Sequence, residues 1–138
     1  MNWLSYAILG AFAAGATAIL AKLGLEGIPS NLAMAIRTSV VLILAWCLVL
    51  ARHEQATVPH LTARTWIYLA LSGVATGVSW IAYFKALSLA PAVRVAPIDK
   101  LSLVFTLGLA ALFLGEALSW RAVLGTGLMV VGAALTLI

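Results

Sequence analysis

Five stretches of apolar residues follow one another along the chain, separated by short polar connections. They cover about residues 3–25, 31–51, 65–88, 95–114 and 120–138. A helix that spans a bilayer needs about 20 mostly apolar residues, with a range of about 17–25. The third and fifth stretches carry no charge over most of their length, so they have no charged face to present to water. The pattern therefore predicts five transmembrane helices.

The connections between these stretches are too short to hold a soluble domain. Their sequences are GLEGIPS at 24–30, RHEQATVPHLTAR at 52–64, LAPAVRV at 89–95 and GEALSW at 115–120. Helices are the expected secondary structure because lipid offers no hydrogen bonds to an unpaired backbone. The first stretch lacks a basic leader and exceeds the roughly 7–15 apolar residues of a signal peptide, so we expect a retained helix. The predicted fold class is an all-α integral membrane protein with a single five-helix domain.

The composition argues against a water-soluble function. Of 138 residues, 64% are hydrophobic and 9% are charged, whereas an ordinary soluble domain is about 45–50% apolar and about 25% charged. The net charge of +4 comes from eight Lys and Arg against four Asp and Glu. These cations are scattered along the chain and form no basic stripe for nucleic acid. The lipid bilayer is therefore the expected surrounding, and nucleic acid is not an expected partner.

The sequence contains no recognisable catalytic or metal-binding motif. It has one cysteine, Cys47, and two histidines, His53 and His60, which lie in the longest polar connection. No zinc-binding HExxH, nucleophile elbow or phosphate-binding loop is present. We therefore expect no enzymatic activity, no cofactor and no metal.

Aromatic and charged residues are distributed unequally across the predicted membrane. Five crossings place the termini on opposite sides; side N holds the N-terminus and side C the C-terminus. Six of the eight Trp and Tyr residues lie toward side N, namely Trp3, Tyr6, Trp46, Trp66, Tyr68 and Trp120. The charges in or beside helices lie toward side C, namely Lys22, Glu26, Arg37, Lys85, Arg94, Asp99 and Lys100.

The charges that lie within the helices are the first candidates for function. Arg37 lies roughly 9–10 Å inside the second helix at about 1.5 Å per residue. A charge at mid-bilayer costs about 2.5–3.5 kcal/mol on insertion scales, so a cavity or an ion pair is expected there. For Lys22 and Arg94, extension of the side chain to the lipid headgroups is favoured instead. Asp99 either pairs with Lys85 or stabilises the N-terminus of a helix led by Pro97.

Helical spacing adds a polar stripe and several small-residue positions. Asp99, Ser102 and Thr106 follow the spacing i, i+3, i+7. Gly73 and Gly77 form a GxxxG pair whose face continues to Trp80 and Phe84, and packing inside one protomer is favoured for this pair. The glycines that predict close helix packing are Gly15, Gly73, Gly77, Gly125 and Gly132.

The second half of the chain carries a family pattern. Its features are the Ala-Leu-x-x-x-Pro turn at Ala86–Pro91, a proline-led fourth helix, the FLGEALS turn at Phe113–Ser119 and a glycine-spaced last helix. The segment Tyr83–Ile138 resembles the second half of an EamA domain, the unit of the drug/metabolite transporter superfamily. Family members typically carry two such domains, inverted relative to each other. The resemblance therefore implies that this chain is a half-transporter.

The resemblance also helps to distinguish lipophilic cations from other possible substrates. The small multidrug resistance proteins are similar in being half-transporters, but they have four helices and an acidic residue in the first helix. The first helix here has no such acid, which argues against proton-coupled export of lipophilic cations. Five cations against two acids on side C favour an anionic or zwitterionic metabolite.

We therefore expect a transporter of a small-molecule metabolite that works by alternating access. The expected solute-lining residues lie on the first four helices, and the fifth helix supports them. They are Lys22, Arg37 and Lys100 for cationic capture, Lys85 and Asp99 as an ionic latch, Trp80 and Tyr83 as aromatic walls, and Ser102 and Thr106 as polar contacts. The alternatives are an accessory or scaffold subunit, a small dual-topology ion channel and a multidrug exporter.

The orientation signal predicts how two copies would associate. Side C carries five Lys and Arg against three on side N, but without Arg37, Lys85 and Lys100 the count becomes two against three. Because loop cations orient membrane proteins, this weak bias predicts insertion in both orientations and an antiparallel homodimer. A parallel dimer and a partner chain that supplies the inverted half are the competing interpretations. The bacterial inner membrane is the expected location.

Overall fold

The computed structural model describes residues 2–137, and its regular secondary structure is helical, with no strand in that range. Six α-helices follow one another: α1 at Trp3–Gly24, α2 at Ser30–Ala51, α3 at Ala63–Leu89, α4 at Ala92–Asp99, α5 at Ser102–Leu109 and α6 at Trp120–Leu135. A 3₁₀ segment, Glu54–His60, lies between α2 and α3, and a π-helical segment, Ala110–Leu114, extends α5.

Four helical stretches are long and apolar enough to cross a membrane. These are α1, α2, α3 and the combined stretch Ala92–Leu114, while α6 is apolar but shorter. The prediction of an all-α membrane protein with about five helices is thus confirmed. The fourth stretch begins at Ala92, three residues earlier than expected, because the extended backbone of Pro91 starts the helix there.

The starts of α1, α2, α4 and α6 carry a residue that suits an N-terminus. The first backbone N–H groups of a helix have no intrahelical acceptor, so a proline or a side-chain oxygen is favoured just before them. Pro29 precedes α2 and Pro91 precedes α4. The Ser119 hydroxyl accepts from the Ala122 N–H at 3.1 Å, and the Asn2 side chain accepts from the Ser5 N–H at 3.0 Å.

The fourth apolar stretch is interrupted between α4 and α5. Pro97 lies inside α4, where it lacks a backbone donor. The N–H groups of Lys100 and Leu101 then bond to carbonyls only three residues back, at 3.1 and 3.0 Å. This is 3₁₀ geometry inside an apolar helix. The interpretation of Asp99 as a stabiliser of a helix led by Pro97 is wrong, since Asp99 is the last residue of α4.

The described residues form two compact units. The central unit comprises Leu23–Ser88 and so contains α2, the 3₁₀ segment and nearly all of α3. The terminal unit comprises the chain up to Lys22 and from Leu89 onward, which includes nearly all of α1 and the helices α4–α6.

Few side chains in either unit are buried. The buried apolar residues are Leu25, Ala33, Phe84 and Leu87 in the central unit and Ala18, Val95 and Ala133 in the terminal unit. Large apolar side chains such as Phe12 and Leu112 are 77% and 79% exposed. Water would oppose this exposure, whereas lipid tails or another apolar protein surface would favour it. The chain therefore has the surface of a protein whose solvent is the bilayer.

The glycines predicted for helix packing face open space. A methyl group added at Gly15, Gly73, Gly77, Gly125 or Gly132 would meet no atom within 4 Å among the described residues. Their role in helix packing stays a prediction, because no neighbouring helix among the described residues approaches them. Gly115 differs because its backbone is left-handed, with φ +67°, where it closes the π-helical segment.

We predict that Gly115→Ala lowers the free energy of unfolding by about 1–2 kcal/mol, because an L side chain disfavours the left-handed backbone. The matched control is Gly10→Ala, where the added methyl group meets nothing and helix propensity improves by up to about 1 kcal/mol. Thermal unfolding in detergent should separate the variants, with a lower midpoint for the first alone. Equal midpoints would contradict the turn assignment.

Candidate functional site

The central unit places an arginine against an aromatic ring on a neighbouring helix. Arg37 is the eighth residue of α2, and its guanidinium carbon lies over the Trp80 ring of α3, 4.4 Å from the ring centroid. The same carbon is 5.7 Å from the centroid of Phe84. Arg37 and Trp80 are both half-buried. The sequence predicted both residues as solute-lining, and the structure brings them into contact.

Two more aromatic residues, Tyr83 and Phe84, follow Trp80 on α3. We call Trp80, Tyr83 and Phe84 the aromatic cluster. The Tyr83 and Phe84 rings meet edge to face, with centroids 6.4 Å apart and planes at 70°. Phe84 is only 2% exposed and is one of the largest fully enclosed side chains described. The sequence analysis did not include Phe84 among the site residues. Its signal was present, because Phe84 follows Trp80 by four residues and so shares its helix face.

The contact between Arg37 and Trp80 fixes a cation without neutralising it. A guanidinium over an indole contributes about 0.5–1 kcal/mol when exposed and about 2 kcal/mol or more when desolvated. Within residues 2–137, no ion pair or hydrogen bond engages the Arg37 guanidinium. All five N–H donors of that group therefore remain available to an acceptor from outside the described chain.

Two other arginines contact aromatic rings, but in a different setting. Arg64 lies 5.5 Å from the Tyr68 ring and Arg121 lies 5.8 Å from the Trp120 ring. Each pair comes from the first turns of a single helix. The Arg37 pair instead connects two helices at a depth of about 10 Å from the start of α2, taking about 1.5 Å per residue. It is thus the cation that the fold places deepest against aromatic rings.

In the terminal unit, Lys22 makes a contact that the sequence did not predict. Its ammonium donates to the Ala90 carbonyl at 3.0 Å, in the turn before α4. Lys22 is half-buried. This hydrogen bond ties the end of α1 to the start of the fourth apolar stretch, so Lys22 has a structural contact beside its predicted role in solute capture.

Asp99 and Lys100 contact each other at the interruption between α4 and α5. The Lys100 ammonium is 3.3 Å from the Asp99 carboxylate, and the two side chains are 56% and 37% exposed. From the sequence, Asp99 was expected either to pair with Lys85 or to stabilise a helix N-terminus, whereas its contact here is with Lys100. An ion pair this exposed contributes little stability in water, about 0–1 kcal/mol. Lys85 is exposed on α3, and the predicted latch remains a prediction.

Ser102 and Thr106, the two hydroxyl residues of the polar stripe, both lie on α5, and Ser102 is its first residue. The Thr106 hydroxyl donates to the Ser102 carbonyl at 2.9 Å, as Thr38 does to Met34 in α2 at 2.8 Å. These bonds satisfy the hydroxyl proton inside the helix. The hydroxyl oxygen keeps its acceptor capacity, so Thr106 can still accept a hydrogen bond from a donor.

The described residues hold no cluster that could form a metal site, and one open groove lies on α6. Residues 2–137 contain no group of three or more His, Cys, Asp or Glu side chains that could hold an ion. One face of α6 forms an open apolar groove lined by Trp120, Val123, Leu124, Gly127, Leu128 and Val131. This groove offers no polar group for chemistry, whereas the Arg37 contact does.

Comparison with known proteins assigns the chain to a family. The family model described as the EamA-like transporter family matches residues 1–138. A protein of Sinorhizobium sp., named as an uncharacterized transporter in the cobO 3' region, is 45% identical over 134 residues. That alignment covers 97% of this chain and 95% of the relative. No solved structure matches the chain. The chain therefore belongs to the EamA-like transporter family and is an integral membrane transport protein.

Proposed function

We propose that the protein is a secondary transporter of a small anionic or zwitterionic metabolite and that it works as an antiparallel homodimer by alternating access. The observation that carries this proposal is the Arg37 guanidinium, held against Trp80 inside a membrane-spanning helix with its hydrogen-bond donors unused. An embedded charge is costly in lipid and is characteristically found at a solute path.

The charge balance supports the sign of the solute. Five cations and two acids lie toward side C, which gives a local balance of +3. A cavity with low-dielectric walls concentrates such a field and attracts a negative group. The proposed roles are those that the sequence assigns, with Phe84 added behind Trp80. They are capture by Lys22, Arg37 and Lys100, a latch of Lys85 and Asp99, walls of Trp80 and Tyr83, and polar contacts at Ser102 and Thr106.

The interruption between α4 and α5 supports the proposal that this turn changes conformation during transport. Transporters commonly use discontinuous helices beside their solute, where an unwound turn lines a cavity. A stretch of 3₁₀ geometry inside a helix often marks a hinge. Here the interruption carries the charges of Asp99 and Lys100 and leads directly to Ser102. We propose that it adjusts during the exchange between the two access states.

The length of a relative supports the pairing of two copies. The match covers 95% of the relative from Sinorhizobium, so that protein has the length of one such unit. A transporter with inverted repeats needs two units related by an axis in the membrane plane. A single unit with a weak orientation bias can supply both by inserting in two directions.

We predict that Arg37→Ala inserts and folds at least as well as the parent but loses at least nine-tenths of its transport. Insertion should not suffer because removal of an embedded charge relieves about 2.5–3.5 kcal/mol of cost. A thermal-shift screen of metabolites identifies the solute, and its uptake into proteoliposomes then measures transport. Arg64→Ala is the control, since it removes a cation from an aromatic ring at the start of α3. Full transport by Arg37→Ala would overturn the proposed site.

The topology of the pair yields a separate prediction. In a Cys47→Ser background, Thr57→Cys places one thiol in the exposed 3₁₀ segment. Dual insertion predicts that about half of the molecules react with a membrane-impermeant thiol reagent in intact cells and that the rest react only after permeabilisation. A matched thiol at Ile28→Cys, in the exposed turn before α2, should show the same division. Complementary labelling, nearly all at one position and nearly none at the other, would establish a single orientation.

A further inference from the structure

We propose that Arg37 binds a carboxylate group of the solute through two parallel hydrogen bonds and that Trp80 is the positioning residue that presents Arg37 for this contact. The proposal rests on the proposed function and specifies its substrate as a monocarboxylate or an amino-acid-like zwitterion. From the sequence, Arg37 was expected to capture the solute and Trp80 to form an aromatic wall. The proposal makes Arg37 the binding residue and Trp80 the residue that positions it.

The first step concerns what the ring contact leaves free. The Trp80 and Phe84 rings lie 4.4 and 5.7 Å from the guanidinium carbon. Aromatic rings are weak acceptors, so this contact fixes the position of the group while its N–H donors keep their full capacity. A planar guanidinium presents those donors as a rigid fork that matches the two oxygens of a carboxylate.

The second step concerns the need for a partner. The side chain is half-buried beside a nearly enclosed phenylalanine, where an unpaired donor loses much of its hydration. No acceptor for it is found among residues 2–137. A bound carboxylate would supply both the missing acceptors and the opposite charge. The site is therefore complete only when an anion occupies it.

The third step concerns the number of charges. Arg37 contributes one positive charge, and the groups that contact it are apolar rings. A single negative charge would be neutralised there, whereas a phosphate dianion would keep an excess charge in a low-dielectric setting. A quaternary ammonium ion would meet a like charge. The site therefore favours a carboxylate over inorganic phosphate and rejects choline.

The experiment uses the purified full-length protein in nanodiscs of phosphatidylcholine, which removes anionic headgroups as competing ligands. Sodium butyrate, sodium phosphate and choline chloride are titrated at constant ionic strength, and the thermal unfolding midpoint reports binding. We expect a saturable rise with butyrate, a weaker effect with phosphate and none with choline. Addition of phosphatidylglycerol should leave the butyrate response unchanged, whereas a headgroup site would lose it.

Variants then separate the two assigned roles. Arg37→Lys keeps the charge but loses the fork, so its apparent dissociation constant for butyrate should rise at least tenfold. Trp80→Leu should raise that constant severalfold, and Trp80→Phe should restore most of the affinity because the aromatic face returns. Arg64→Lys is the matched control and should bind butyrate as the parent does. A purely structural role for Trp80 predicts instead that Trp80→Leu lowers the midpoint without changing the dissociation constant.

Several outcomes would overturn the proposal. These are no saturable butyrate response in the parent, tighter binding of phosphate than of butyrate, or equal butyrate affinity in the parent and Arg37→Lys. If the Trp80 variants do not fold, the comparison of Arg37→Lys with Arg64→Lys still decides the carboxylate assignment. Binding of butyrate without saturable transport of any carboxylate would contradict the proposed function and leave the anion site intact. Transport that survives in Arg37→Lys would contradict the site and leave the function intact.

Discussion

A guanidinium held inside an apolar helix is the feature on which the functional account depends. Lipid penalises the charge of Arg37, and Trp80 holds the group in place without cancelling that charge. A structural ion pair would have neutralised the arginine within the chain, and such a pair is not found among the described residues. The fold thus leaves a charged group without a counter-charge among the described residues, and the proposed binding of an anion rests on this.

The surface of the chain reflects the same constraint of lipid as solvent. Among residues 2–137, seven apolar residues are buried, while many large apolar side chains are exposed. The glycines on α1, α3 and α6 leave space that nothing in the described residues fills. In water this surface would aggregate, but in a bilayer it suits contact with lipid tails and with a second copy. This exposed apolar surface is therefore consistent with the membrane location that the family membership supports.

The sequence predicted the helices because their length and hydropathy are set by the thickness of the bilayer. It did not predict the interruption at Lys100 and Leu101, because the change to three-residue hydrogen bonds there is a backbone property that the apolar pattern does not carry. It identified Arg37 and Trp80 from depth and composition, but their contact depends on the relative rotation of α2 and α3, which a single sequence does not specify. Phe84 was placed on the same face as Trp80 but not among the site residues, because an apolar ring carries no chemical signal of its own. The bond from Lys22 to the Ala90 carbonyl was beyond sequence reasoning, since a backbone acceptor has no residue identity.

The most direct test of a carrier mechanism is counterflow. Proteoliposomes are loaded with an excess of the unlabelled carboxylate found by binding, and uptake of the radiolabelled solute is followed from a dilute external solution. A carrier that alternates between two access states predicts a transient accumulation of label above its equilibrium level. The site returns outward loaded with unlabelled solute, and the excess of that solute inside competes with the label for exit. Label that only equilibrates, at a rate proportional to its concentration and unaffected by internal solute, would show a channel and contradict the account.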